Sequence, residues 1–249
     1  MISTTDISER TNLKSKLLTT IYEVFEDFAR RLPHACTVGC AACCTQNIFM
    51  TTLEGYRILN RLTEPEQAGI IARLESIPAE GKRYIPTITT NQLAFYCLKQ
   101  MEPPPEEAGA ALDPCPLLEN NQCTIYEDRP FGCRSFFSTR RCNPLRPAEV
   151  DPLLITVTNV MFQIIEHVDN AGQVGNMIDI LTGLGTNQRI EEYASDVSLE
   201  DLKATIKARR IPGFLIPPEH KAVVVALLRT MNETVIDGVT FQDLMKELD

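Results

Sequence analysis

The chain has 249 residues, 44% of them hydrophobic and 23% charged; that is apolar material for one sizeable core and a charge content that does not point to disorder. A net charge of −9 and a pI near 5.0 exclude a dominant basic footprint and argue against a nucleic-acid partner. The N-terminal segment lacks the basic-then-apolar pattern of a secretory signal, and no run reaches the ~18 apolar residues of a membrane span, so the expectation is a soluble cytoplasmic protein with no membrane partner.

Residues 6–32 read as one amphipathic helix. Leu13, Leu17, Ile21, Phe25 and Phe28 recur at intervals of three and four and share one face. Pro33 ends it. Residues 34–50 read as irregular loop. Thr51 followed by Glu54 is a capping-box pattern, predicting a helix over 52–62. Helices are also expected over 65–76 and 91–100. The run Glu102-Pro103-Pro104-Pro105-Glu106-Glu107 is a stiff connector, because proline cannot continue a helix. Residues 113–147 carry turn signals at Asp113-Pro114, Asn120-Asn121, Arg129-Pro130 and Asn143-Pro144 and few apolar residues. By this reading a metal clamp supplies the constraint that burial does not. From 148 onward the pattern is helical over 148–169, 173–183, 187–196, 199–209, 217–233 and 240–248, with Ser198 and Thr240 as caps. No strand–helix alternation suggests a parallel sheet. The predicted fold is mainly α: irregular cysteine-rich metal-binding loops packed against helices, with a C-terminal helical bundle. The expected division is a cysteine-cluster domain with its N-terminal helix over 1–147 and a helical region over 148–249, packed on the first part.

The nine cysteines are unevenly placed. Cys36, Cys40, Cys43 and Cys44 fall within nine residues; Cys115, Cys123, Cys133 and Cys142 fall within 28; Cys97 stands apart. An odd number fits a closed disulfide framework poorly, and thiols kept in a reducing compartment are usually buried, catalytic or metal-bound. Spacings of two to four residues let neighbouring thiolates converge on one centre. The second group must then arrive across a long loop, whose closure costs a few kcal/mol, about the scale of loop-closure entropy. The side chains of adjacent cysteines such as Cys43 and Cys44 diverge, so they serve a polynuclear cluster or two neighbouring sites, or one ligates while the other packs.

Cys40-Ala-Ala-Cys43-Cys44, Cys115-Pro116-Leu117-Leu118 and Cys123-Thr-Ile-Tyr-Glu-Asp-Arg-Pro-Phe-Gly-Cys133-Arg134-Ser-Phe136 together resemble the YkgJ-type cysteine-cluster proteins, the CxxCxxCC zinc- or iron-chelating domain. The resemblance covers about residues 36–142. It departs from the family pattern in a first gap of three residues between Cys36 and Cys40, and in Ala41 where a glycine is usual. It implies about eight ligands: Cys36, Cys40, Cys43, Cys44, Cys115, Cys123 and Cys133, with Cys97 or Cys142 as the eighth, Cys142 being preferred for its place in a loop beside two arginines. Cys97, inside Phe95-Tyr96-Cys97-Leu98, reads as a core thiol. An iron–sulfur cluster stands ahead of zinc as the cofactor: four thiolates suit either, and the flagellin lysine methylase, which resembles this domain, is associated with an iron–sulfur cluster. His34 reads as a solvent-facing loop residue, and Tyr126 as a buried structural tyrosine.

Residues 129–146 hold Arg129, Arg134, Arg140, Arg141 and Arg146 with no acidic residue, a local inversion of the chain's charge. Guanidinium groups offset an anionic thiolate centre. Arg129 and Arg134 are expected to brace the loop through carbonyls, whereas Arg140, Arg141 and Arg146 are the candidates for an anion site. Three roles follow: a metal-binding protein with a structural centre and a protein partner on its helical half; a metal-cluster-dependent enzyme such as a protein lysine methylase, although no Gly-x-Gly-x-x-Gly cofactor loop occurs; or an iron–sulfur redox carrier or sensor. Whether the chain is an enzyme is left open by its sequence.

Overall fold

The first helix, α1 (Thr4–Ala29), buries the face its periodicity marks: Leu17, Ile21, Phe25 and Phe28, joined by Leu18 and Tyr22. The computed structural model describes residues 4–37, 39–77, 83–106, 113–143, 145–195 and 201–248, with side chains from residue 10 onward. After the first cysteine segment, β1 (Phe49–Thr51) runs directly into α2 (Thr52–Asn60). The Thr51–Glu54 capping box is formed: the Thr51 amide donates to Glu54 Oε2 at 2.8 Å and the Glu54 amide to Thr51 Oγ1 at 3.3 Å, so two helix-start amides are satisfied reciprocally. α3 (Glu64–Glu75) and α4 (Thr90–Leu98) open on the same device, Thr63 with Glu66 and Thr89 with Gln92.

The second cysteine segment contains a hairpin, β2 (Leu118–Glu119) and β3 (Gln122–Cys123), and a one-turn helix, α5 (Phe131–Arg134). Asn120 and Asn121 both take positive φ, 50° and 62°, as the tight two-residue hairpin turn requires. α6 (Pro152–Val168) follows, with Asp151 as its cap and Pro152 at its first position. Then come β4 (Gln173–Asn176), α7 (Met177–Leu184), α8 (Asn187–Ala194), β5 (Thr205–Lys207), α9 (Lys221–Glu233), the small hairpin β6 (Val235–Ile236) and β7 (Val239–Thr240), and α10 (Phe241–Lys246). The fold is mainly α, and every named strand pair is antiparallel.

Two segments expected to be helical differ. Residues 173–176 form β4, the centre of a sheet ordered β1-β4-β5, and helix starts only at Met177. Residues 205–207 form β5; the cap expected at Ser198 lies outside the described residues. Gln-Val-Gly-Asn and Thr-Ile-Lys are too short to show a period of two, and their strand state is set by pairing. Gly175 permits it, since a Cβ there would lie 2.8 Å from Thr205 Cγ2.

The core is continuous across the chain. Side chains of α1, α2, α6 and α7 pack with Leu117, Ile125 and Phe131 of the second cysteine segment and with Met231 and Phe241 near the C-terminus. Asp169, fully buried after α6, accepts from Thr52 Oγ1 (2.6 Å), the Leu53 amide (2.8 Å) and the Tyr193 hydroxyl (2.7 Å). It thereby supplies the start of α2 with a second cap. Gly172 makes room for this, because a Cβ there would lie 2.2 Å from Thr52 Oγ1 and 2.4 Å from both Asp169 oxygens.

Candidate metal centre

Backbone bonds bring the two cysteine segments together. The Cys115 amide donates to the Cys44 carbonyl (2.9 Å), the Gln46 amide to Asp113 (3.1 Å), and Thr45 and Pro114 form an antiparallel bridge. Asn176, in β4, fixes the far end of the first segment by donating to the Gln46 carbonyl at 2.9 Å, and the Met177 amide donates to Ile48 at 2.7 Å. Cys115 leads into the hairpin, whose Thr124 amide returns to Leu117 (3.0 Å). Leu117, fully buried, anchors the hairpin between Cys115 and Cys123.

Cys133 sits in α5. Phe131, two residues earlier, is fully buried and meets Phe25 and Phe162 edge-on at 4.8 and 4.9 Å between ring centroids. Gly132 lets the turn approach β1: a Cβ there would lie 3.1 Å from the Phe49 carbonyl. The segment is therefore better anchored than its composition suggests. Arg129 and Arg134 brace it as expected. Arg129 donates to the Tyr126 carbonyl (2.7 Å); Arg134 donates to the carbonyls of Arg129 (2.8 Å) and Glu127 and pairs with Glu26 of α1 at 2.5 Å.

The thiols of this region act on one another electrostatically. The Cys43 thiol hydrogen-bonds to Cys44, which lowers the Cys44 pKa, while burial and then the charges of Cys133, Cys115 and Cys123 oppose that shift. The same bond, reinforced by burial, raises Cys43. Burial, followed by the charges of Cys115 and Cys123, raises Cys133 strongly. Burial also raises Cys115 and Cys123. Cys44, Cys115, Cys123 and Cys133, with Cys43 attached, thus form one group from four separate local structures.

The other cysteines take different partners. Cys36 Sγ accepts from the Ser138 amide at 3.4 Å, beside a bond from the Ala35 amide to the Ser138 carbonyl (2.8 Å). Cys40 is exposed. Cys142 Sγ donates to the Arg140 carbonyl at 3.8 Å. Cys97 is exposed on α4, which corrects its reading as a core thiol: α4 buries Asn91 and Ala94 instead. Asn91 is held there by bonds to the carbonyls of Gln163 (3.0 Å) and Arg209 (2.8 Å), so a polar contact sets the helix's rotation.

Tyr126 also departs from expectation. It is 43% exposed, with the Arg129 guanidinium over its ring at 3.9 Å, so a cation–π contact replaces burial. His34 is exposed, edge-on to Phe137. Of the three candidate anion-binding arginines, Arg140 pairs with Glu149 at 3.1 Å, whereas Arg141 and Arg146 are exposed.

Sequence reasoning missed two buried carboxylates, of which Glu54 touches this assembly. Glu54 is visible in sequence as a capping-box residue, and nothing in the sequence shows that it also bonds the Phe131 amide (2.7 Å) and the Tyr22 hydroxyl (2.7 Å). Asp169 carries no sequence signal of its own. Among the described residues, no three His, Cys, Asp or Glu side chains already stand in metal-ligating geometry. The donor set nevertheless suits a thiophilic centre: thiols whose charges oppose one another in a partly buried site are what a cation or cluster compensates.

No helix among the described residues is long and apolar enough to cross a membrane. Neither a curated protein nor a solved structure matches the chain. Residues 35–149 match the profile of a family, CxxCxxCC, whose description is "Putative zinc- or iron-chelating domain". Both cysteine segments and the Arg-Pro-Phe-Gly-Cys-Arg turn lie inside that span, so this part of the chain is similar to the CxxCxxCC family.

Proposed function

We propose that this protein binds an iron–sulfur cluster through Cys44, Cys115, Cys123 and Cys133, with Cys36, Cys40, Cys43 and Cys142 completing the cysteine set around it. The observation that carries this reading is the backbone pairing of the two cysteine segments, Cys115 to Cys44 and Thr45 to Pro114, which draws their thiols together from distant parts of the chain. Four thiolates are what a cubane cluster needs, and the adjacent Cys43 and Cys44 suit a polynuclear centre better than a single ion. The cluster would supply one-electron chemistry and a covalent clamp. The chain's own residues supply the cradle: the hairpin presents Cys115 and Cys123, α5 presents Cys133, and Arg129 sets positive charge beside Cys123 and Cys133.

Zinc is the second reading, because four thiolates also make a closed tetrahedral site. A redox role is favoured over a purely structural one by the exposure of Cys40 and Cys43, which leaves the centre accessible to a partner. A purely structural centre would instead leave the helical half, where Val223 and Val225 of α9 are exposed, as the surface for a protein partner.

Anaerobic purification with metal analysis tests this. Iron and sulfide with broad visible absorption support the cluster. Zinc alone, unchanged by anaerobic handling, replaces it with the second reading. Full metal content in both Cys44→Ala and Cys133→Ala would overturn the site.

A further inference from the structure

We propose that Glu54 is a positioning residue for the metal centre, a buried carboxylate that fixes the turn presenting Cys133. The inference rests on the metal-binding reading above. Glu54 is only 1% exposed. Its Oε2 accepts from the Thr51 amide, completing the capping box of α2. Its Oε1 does something a capping box does not require. It accepts from the Phe131 amide and from the Tyr22 hydroxyl, both at 2.7 Å.

Phe131 is the first residue of α5, so its amide is one of the donors that a helix start leaves unpaired. A helix of four residues has no stability of its own. Its orientation comes from outside, from the Phe131 ring in the core and the Phe131 amide on Glu54. Cys133 follows two residues later. Through Phe131, one carboxylate thus ties the Cys133 turn to two other parts of the chain: α1 through Tyr22 and the start of α2 through Thr51. Every partner is a donor. An amide side chain of the same shape would turn its NH2 toward at least one of them, so Glu54→Gln keeps the volume and breaks the arrangement.

Asp169 provides the control. It is equally buried, also caps α2, and also accepts three bonds, and none of them reaches a cysteine-bearing segment. Full-length wild type, Glu54→Gln and Asp169→Asn are compared in three measurements: unfolding of the metal-free protein, release of bound Zn(II) to a chromogenic chelator, and iodoacetamide labelling of Cys133 against Cys115 in metal-free protein. Both variants are expected to lose stability. Glu54→Gln alone is expected to release zinc faster, by about tenfold, the scale seen when groups that orient metal ligands are removed, and to label faster at Cys133 relative to Cys115.

Zinc release that follows stability alike in the two variants, or that is unchanged in Glu54→Gln, overturns the proposal. Wild type that binds neither zinc nor iron sinks the metal-binding reading, while the labelling ratio still decides whether Glu54 holds the turn. Should Glu54→Gln fail to fold, Glu54→Asp keeps the charge and can still cap at Thr51 but falls a methylene short of Phe131. Wild-type zinc release and labelling in that variant overturn the proposal equally.

Discussion

The two cysteine segments are held in different ways. From residue 34 to residue 49 no described residue is buried. This segment is tied by hydrogen bonds to its neighbours: Ala35 to Ser138, Cys44 to Cys115, Gln46 to Asp113 and Asn176. The second segment drives Leu117, Ile125 and Phe131 into the core and buries Ser135 and Ser138. Hydrophobic anchoring is indifferent to metal, whereas exposed hydrogen bonds exchange readily with water. On the proposed reading, the second segment is a preformed half-site, and the first is the half whose order would depend on what the thiols hold.

The largest expected effect is at the root of the preformed half. Phe131→Ala should cost about 3–5 kcal/mol of stability, as large aromatic truncations in cores do, measured by denaturant unfolding of metal-free protein. A cost near zero would remove the distinction between the two segments.

The scaffold and the centre should also answer pH with opposite signs. Burial pushes Glu166 up from 4.5 to about 7, although it accepts from the amides of Asn91 (2.9 Å) and Arg209 (2.7 Å). Between those values the folded state holds a proton that the unfolded state has released, so stability falls as pH rises. The contribution is complete below about pH 4.5 and lost through about pH 7, on the order of 3 kcal/mol. Glu166→Gln should flatten that slope. Metal affinity should rise with pH instead, because thiols raised by burial must release protons to bind; unfolding curves and metal titrations at matched pH separate the two.

Gly172→Ala tests the corner that seats α2. The added Cβ would strike Thr52 and Asp169 and should cost about 1–3 kcal/mol, the range for overpacking, seen as a lowered Tm. Chelation should affect the two segments unequally. Hydrogen exchange at Cys40 and Cys44 should accelerate on metal removal, with Cys133 and Ser135 little changed. Equal acceleration would mean that neither half is preformed. The smallest effect is expected at Arg140→Ala, which removes an exposed ion pair with Glu149 and should change stability by less than about 0.5 kcal/mol.

Much of this architecture is legible from local rules. The spacing of Leu17, Ile21 and Phe25 marked the face of α1; Thr51 and Glu54 marked the start of α2; Asn120-Asn121 marked a turn, though not the hairpin it closes; Arg129 and Arg134 were read as loop braces. Thr63 with Glu66 and Thr89 with Gln92 form the same capping box, a local pattern that the reading of the sequence passed over. What escaped depends on partners far along the chain. β4 and β5 are strands because they pair with each other and with β1. Cys97 faces outward because Asn91 finds two carbonyls in the interior, and Tyr126 stays exposed because Arg129 covers its ring.

The sequence by itself determined that cysteines cluster in two groups and which helices frame them, since side-chain spacing and capping act within a few residues. Only the tertiary structure decided how those cysteines group: Cys43 and Cys44 with Cys115, Cys123 and Cys133, while Cys36 meets Ser138 and Cys142 turns to Arg140. It also decided that Glu54 serves three segments at once. Such groupings depend on which surfaces pack together, and a buried carboxylate draws its donors from wherever the core has brought them.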